Sequence, residues 1–170
     1  TTSLALQRGH YKLCVNNITT LPLFKRSQIE CSAGLAKAGK VQPLDYHYRY
    51  QRSDKIENIA IHFDWQRHLA FMQVGKSHWQ MKIPSGTQDK ISYQLLLGQK
   101  LASKQQQFSF PVADGGKLKT YRFQTSGQEV LEVKQQQIPT IKLTRLPMAD
   151  KPEVKLWLAP QLDYLVVQVE

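Results

Sequence analysis

Five histidines, His10, His47, His62, His68 and His78, two cysteines, Cys14 and Cys31, and alternate tyrosines, Tyr46, Tyr48 and Tyr50, are the residues of this 170-residue chain whose types could do chemistry. The histidines show no HxH or HExxH spacing and no cysteine pair beside them, so zinc ligation has no support. If Ser53-Asp54 is a two-residue loop, the segments PLDYHYRY and ENIAIHFDW pair with Asp45 opposite His62 and His47 on the diagonal. As chemistry this would be an acid–base couple without a nucleophile. As structure it is a cross-strand charge pair on a solvated face, which strand alternation favours. Asp114-Gly115-Gly116 precedes a strand rather than a helix, and there is no GxSxG elbow, so neither nucleotide binding nor a hydrolase is indicated. No set of residues meets the requirements of catalysis, and neither an enzyme, a cofactor nor a metal is expected.

The tyrosine file reads first as core, because Leu44, Tyr46, Tyr48 and Tyr50 alternate with Asp45, His47, Arg49 and Gln51. Stacking of bases on these rings is disfavoured, since Arg49 falls on the opposite face. If the sheet is concave and incompletely filled, a pocket walled by Tyr46, Tyr48, Ile61, Phe63, Met72, Trp79, Leu95 and Leu97 would suit an amphiphile, with oily bodies and hydroxyl tips. The alternative is that these side chains interlock at ordinary interior density. Cys14 and Cys31 could close one bridge across a hairpin or remain thiols; side-chain parity does not decide between them.

The elements that would position these residues are mostly strands. From Val41 to Ile83 the apolar periodicity is two, and both turns, at Ser53-Asp54 and Gly75-Lys76, bring oily faces into coincidence: Tyr48 with Ile59, Tyr46 with Ile61, Met72 with Trp79 and Ala70 with Met81. The N-terminal segments SLALQR and HYKLCV, and QFSFPV, KLKTYRFQT, QEVLEV, PTIKLTRL, EVKLWLA and YLVVQVE after residue 106, bring the count to roughly a dozen strands. One stretch differs. IPSGTQDKISYQLLLGQKL reads as a helix over about 87–101, capped at its start by Ser85 or Thr87 and apolar on every side in its second half. The expected architecture is a single mainly β domain over 1–170. It comprises a meander at 41–83, the helix, and C-terminal strands at 106–170. The sheet is a curved antiparallel one, or a partly open barrel, that the helix covers or plugs.

The charge of +10 comes from 23 Lys and Arg scattered among glutamines, a diffuse field rather than a nucleic-acid-binding block. No apolar run approaches the roughly 18 residues that span a bilayer. The chain opens at TTSLALQR, already strand-like and without an initiator Met, so a targeting segment is expected to have been removed.

The ordered series TQDKISYQLLL, FPVADGGKLKTYRF, GQEVL and LWLAPQLDYLVVQVE, with PLDYHYRY and FDW upstream, resembles the bacterial family of domain of unknown function 3108 over most of the chain. The resemblance implies an exported, periplasmic protein of Gram-negative bacteria, a shape similar to half-barrel lipoprotein carriers, and no agreed functional residues. The expected function is non-enzymatic binding or carriage of a hydrophobic or amphipathic envelope component such as a lipid. The alternative is an envelope assembly or protein-interaction module; a glycan- or lipid-acting enzyme ranks lower. The partners expected are an amphiphile or an envelope protein and no nucleic acid.

Overall fold

The computed structural model describes residues 1–21, 24–133, 135–149 and 151–170. The chain is mainly β: the described residues form twelve strands in two antiparallel sheets, one of them curled as a half-barrel, and one α-helix. By backbone contact it divides into two compact units, residues 1–93 with 111–119, and residues 94–110 with 120–170.

The first unit is built on a seven-stranded sheet whose strands follow chain order: β1 (Thr2–Gln7), β2 (His10–Leu21), β3 (Phe24–Lys37), β4 (Lys40–Arg52), β5 (Lys55–Asp64), β6 (Leu69–Val74) and β7 (Ser77–Lys82). Short turns join them. Arg8-Gly9 and Ala38-Gly39 both have positive φ at their two central residues, the geometry whose twist matches a right-handed strand pair. Ser53-Asp54 and Gly75-Lys76 are the expected two-residue loops, since Arg52 pairs with Lys55 and Val74 with Ser77. The register is the one that alternation predicts: Tyr46 lies opposite Ile61, Tyr48 opposite Ile59, Met72 opposite Trp79 and Ala70 opposite Met81.

The sheet therefore has an inner face, carrying Tyr11, Leu13, Tyr46, Ile61, Phe63 and Met72, and an outer face carrying Asp45, His47 and His62. All six inner residues named are buried. Burial of one such side chain contributes about 1.5–3 kcal/mol, so this row is the principal stabilising layer of the unit.

The expected helix begins later than its sequence suggests. It spans Gln94–Ala102 (α1). Residues 87–89 instead continue the sheet logic: the Gln88 amide donates to the Pro111 carbonyl at 2.8 Å and the Ala113 amide to the Gln88 carbonyl at 2.8 Å, a parallel bridge. The capping chemistry sits downstream. Asp89 Oδ1 accepts from the amides of Ile91 (3.0 Å) and Ser92 (2.8 Å), while Ser92 Oγ accepts from the Asp89 amide at 2.9 Å. That reciprocal pair is bonded like a capping box, and it closes a turn over residues 89–92 ahead of α1; the expected caps Ser85 and Thr87 lie further upstream still. Thr87 spends its hydroxyl on the Pro84 carbonyl.

The second unit holds α1 and most of a five-stranded antiparallel sheet: β8 (Gln107–Asp114), β9 (Lys117–Val133), β10 (Gln136–Arg145), β11 (Val154–Ala159) and β12 (Leu165–Val169). Its core includes Leu97, Leu101, Tyr121, Leu143, Leu156 and Leu158, with Phe108, Phe110 and Phe123 meeting at centroid distances of 5.6–5.9 Å. Among the described residues no helix is long and apolar enough to cross a membrane.

Candidate functional site

The segment from Thr87 to Tyr93 lies across the inner face of the seven-stranded sheet and is tied to it by polar contacts. Thr87, Gln88, Asp89 and Ser92 are all fully buried. Gln88 Nε2 donates to the Val41 carbonyl at 3.0 Å. Ser32 Oγ donates to Asp89 Oδ2 at 2.5 Å, and the Tyr11 hydroxyl lies 2.8 Å from Ser32 Oγ. Burial pushes the Asp89 carboxyl up to about 6, against which four hydrogen bonds pull it down. One row along the sheet, the Tyr46 hydroxyl donates to Glu30 Oε1 at 2.5 Å, and Lys90 Nζ pairs with the same oxygen at 3.1 Å. Burial, and then the neighbouring carboxylate, raises the pKa of both Tyr11 and Tyr46, so these phenols stay protonated donors.

Beyond this layer the inner face opens. The row Val15–Glu30–Tyr48–Ile59–Val74 follows from the register of β2 to β6. Val15, Tyr48, Ile59 and Val74 are only half-buried. Lys90 Nζ stands 5.0 Å from the Tyr48 ring centroid and the Arg26 guanidinium 5.3 Å from that of Tyr50. The open row is thus mainly apolar, and a cation lies over each of the neighbouring rings Tyr48 and Tyr50, Lys90 being paired with Glu30 as well.

Of the eight residues expected to wall a pocket, the first unit brings six together on one inner face. Tyr46, Ile61, Phe63 and Met72 are at most 2% exposed, beneath the open row, while Tyr48 and Trp79 are half-buried. Leu95 and Leu97 belong to α1 in the second unit, where Leu97 is fully buried and Leu95 half-buried. Cys14 and Cys31 face each other directly across β2 and β3 and are joined as a disulfide. Asp45 and His62 meet at 2.9 Å with side chains 50% and 62% exposed, a solvated pair on the outer face. Among the described residues no group of three His, Cys, Asp or Glu is placed to hold a metal ion.

The family model for proteins of unknown function DUF3108 matches residues 8–170. The chain belongs to the DUF3108 family. Among solved structures, the DUF3108 chain is similar to the β-barrel-like protein of domain of unknown function DUF1849 from Brucella abortus, at 10% identity and a TM-score of 0.59, covering 99% of this chain and 78% of that one. It also matches a DUF1089 family protein from Pseudomonas aeruginosa at 8% identity and a TM-score of 0.46, over 100% and 88% of the two chains. At such identities the first likeness speaks for the fold alone. No curated protein sequence matches the chain.

Sequence reasoning missed the polar half of this DUF3108 site, Glu30, Ser32 and Asp89 with Tyr11. The signal was present. Gln28, Glu30 and Ser32 alternate with Ile29, Cys31 and Ala33, the pattern of a strand whose buried face is polar, and a run of buried tyrosines requires hydroxyl partners.

Proposed function

We propose that this DUF3108 protein is a non-enzymatic envelope protein that binds or carries an amphiphile on the open row of its inner face. The observation that carries the reading is the Tyr48 environment: a half-buried aromatic ring opposite Ile59, which in turn faces Val74, with the Lys90 ammonium 5.0 Å from its centroid. The acyl part of a ligand would cover Val15, Tyr48, Ile59 and Val74, while Lys90 and Arg26 attract an anionic head group. Periplasmic residence belongs to the same proposal, and the Cys14–Cys31 disulfide is in keeping with an oxidising compartment.

The test is native mass spectrometry of protein exported to a Gram-negative periplasm, followed by organic extraction. A co-purifying lipid, lost on Tyr48→Arg but kept on Tyr46→Phe, is the expected result. Absence of lipid from several preparations, with fractionation placing the protein in the cytosol, would overturn it. A second reading has its own observation. β1 is an edge strand exposed along its whole length, with Leu4 43% and Leu6 63% exposed, which suits strand addition by a partner protein.

A further inference from the structure

The outer face of the seven-stranded sheet is not a featureless solvated surface. Two adjoining grooves, of about 300 and 490 Å³, cross it and share His47, Ala60 and Gln73. Their depth has a simple cause. The cross-strand row Cys31–His47–Ala60–Gln73–His78 places a methyl group at its centre, between longer side chains on β4 and β6. Ala60 is the floor.

The walls mix planar polar groups with apolar side chains. The larger groove presents the imidazoles of His47, His62 and His78, the amides of Gln73 and Gln80, the Asp45 carboxylate and the ring of Phe71. The smaller one adds Asn58 and Arg49 together with Ile29, Cys31, Tyr48 and Ile59. Nearly every polar group here is planar, and most both donate and accept. Several are already oriented: His62 Nδ1 is held 2.9 Å from Asp45 Oδ1, and Gln73 Nε2 donates to the Gly75 carbonyl at 3.1 Å, which leaves its oxygen as an acceptor. Phe71 lies directly opposite both His62 and Gln80 and is half-buried, so part of its side chain is open in the groove.

We propose that these grooves form a binding site for a linear, largely uncharged glycan chain. A pyranose ring has an apolar face of C–H groups that packs on an aromatic ring, and an equatorial belt of hydroxyls that pairs with amides, imidazoles and carboxylates. Strands spaced by about 4.8 Å repeat the hydrogen-bonding rows beneath successive sugars. Other polymers fit less well. No lysine and one arginine line the grooves although the chain carries 23 basic residues, so a polyphosphate backbone finds little to neutralise. An acyl chain would strand too many polar groups without partners. Most of the site lies on the outer face, Tyr48 and Ile59 bordering only its smaller groove, and it rests on different groups from the amphiphile reading.

The experiment is an amide-resolved NMR titration of the whole protein with two probes, a β-linked N-acetylglucosamine hexamer and a glucose hexamer of the same linkage. Shifts centred on His47, Ala60, Phe71 and Gln73 with either probe are expected, and the stronger probe tells whether the acetamido group is read. Phe71→Ala and Gln73→Ala should each weaken binding about tenfold, while Gln168→Ala, far along the chain on exposed β12, should not. Gln73 is exposed, so its variant keeps the test open should Phe71→Ala unfold the protein. No shifts from either hexamer at saturating concentration, or shifts confined to other surfaces, would overturn the site.

Discussion

Ser32 donates its hydroxyl proton to Asp89, 57 residues further along the chain, and both residues are closed to solvent. Through that one bond the 87–93 segment is fixed to β3 with a carboxyl group as its anchor. A hydroxyl and a carboxyl in a dry interior make a bond whose strength depends on charge state, and this gives the first prediction.

The folded Asp89 carboxyl titrates at about 6, above its ordinary 3.8, because burial disfavours the anion. A raised carboxyl contributes stability that is fully present below the unfolded value and lost as pH rises through the folded one. Between pH 4 and pH 7 the unfolding free energy should therefore fall by about 2 kcal/mol on account of this group. Asp89→Asn can accept from Ile91 and Ser92 at its oxygen and donate to Ser32 from its nitrogen. Urea titrations of both proteins across that range should show the wild type losing this increment and the asparagine variant lacking it. Parallel pH curves would refute the assignment.

The disulfide closes a loop between residues 17 apart in sequence. Releasing a loop of that size raises the entropy of the unfolded chain and should cost about 3 kcal/mol. Reduction, or the double variant Cys14→Ser with Cys31→Ser, should lower the melting temperature while leaving the far-ultraviolet spectrum of the folded protein unchanged.

Leu97 is closed to solvent, whereas Leu95 on the same helix is half-buried. Leu97→Ala should cost about 2–5 kcal/mol in chemical denaturation, and Leu95→Ala clearly less. Equal losses would mean that the apolar side chains of α1 are used without distinction.

Gly116 adopts a φ of +77°, and a β-carbon there would fall 2.2 Å from Cζ2 of Trp79, whose indole nitrogen donates to the Gly116 carbonyl at 3.2 Å. Gly116→Ala should be destabilising on both counts, by about 1–3 kcal/mol, and should shift the tryptophan emission as the indole is displaced. An unchanged spectrum and melting curve would contradict the packing.

Sheet register was legible because two independent signals agreed: alternation set the faces and the turns set the pairing, so Asp45–His62 and Tyr46–Ile61 could be read directly. β3 was less legible, since its buried face is built from Glu30 and Ser32 and carries no apolar rhythm. The helix start misled for a related reason. Ser85 and Thr87 have capping chemistry, but the Gln88 backbone is claimed by Pro111 and Ala113, a tertiary pairing more than twenty residues away that local propensity does not encode. The open Tyr48 row lay within the expected pocket, yet its neighbours Tyr46 and Ile61 have the same residue character and are sealed; exposure depends on where the 87–93 segment lies.

Both sheets keep their strands in chain order, β1 to β7 and β8 to β12, so each strand hydrogen-bonds only to its neighbours in sequence. Such a topology has a kinetic meaning. Every ladder forms by closing a short loop, and a chain delivered from one end can zip each strand onto the last as it arrives, without waiting for its C-terminus. The exception in the first unit is the Gln88 bridge to Val112, whose partners are separated by the whole of α1. During vectorial folding the inner face therefore remains bare until that late segment docks, and the interval before docking is when its row of tyrosines is most exposed to whatever it meets.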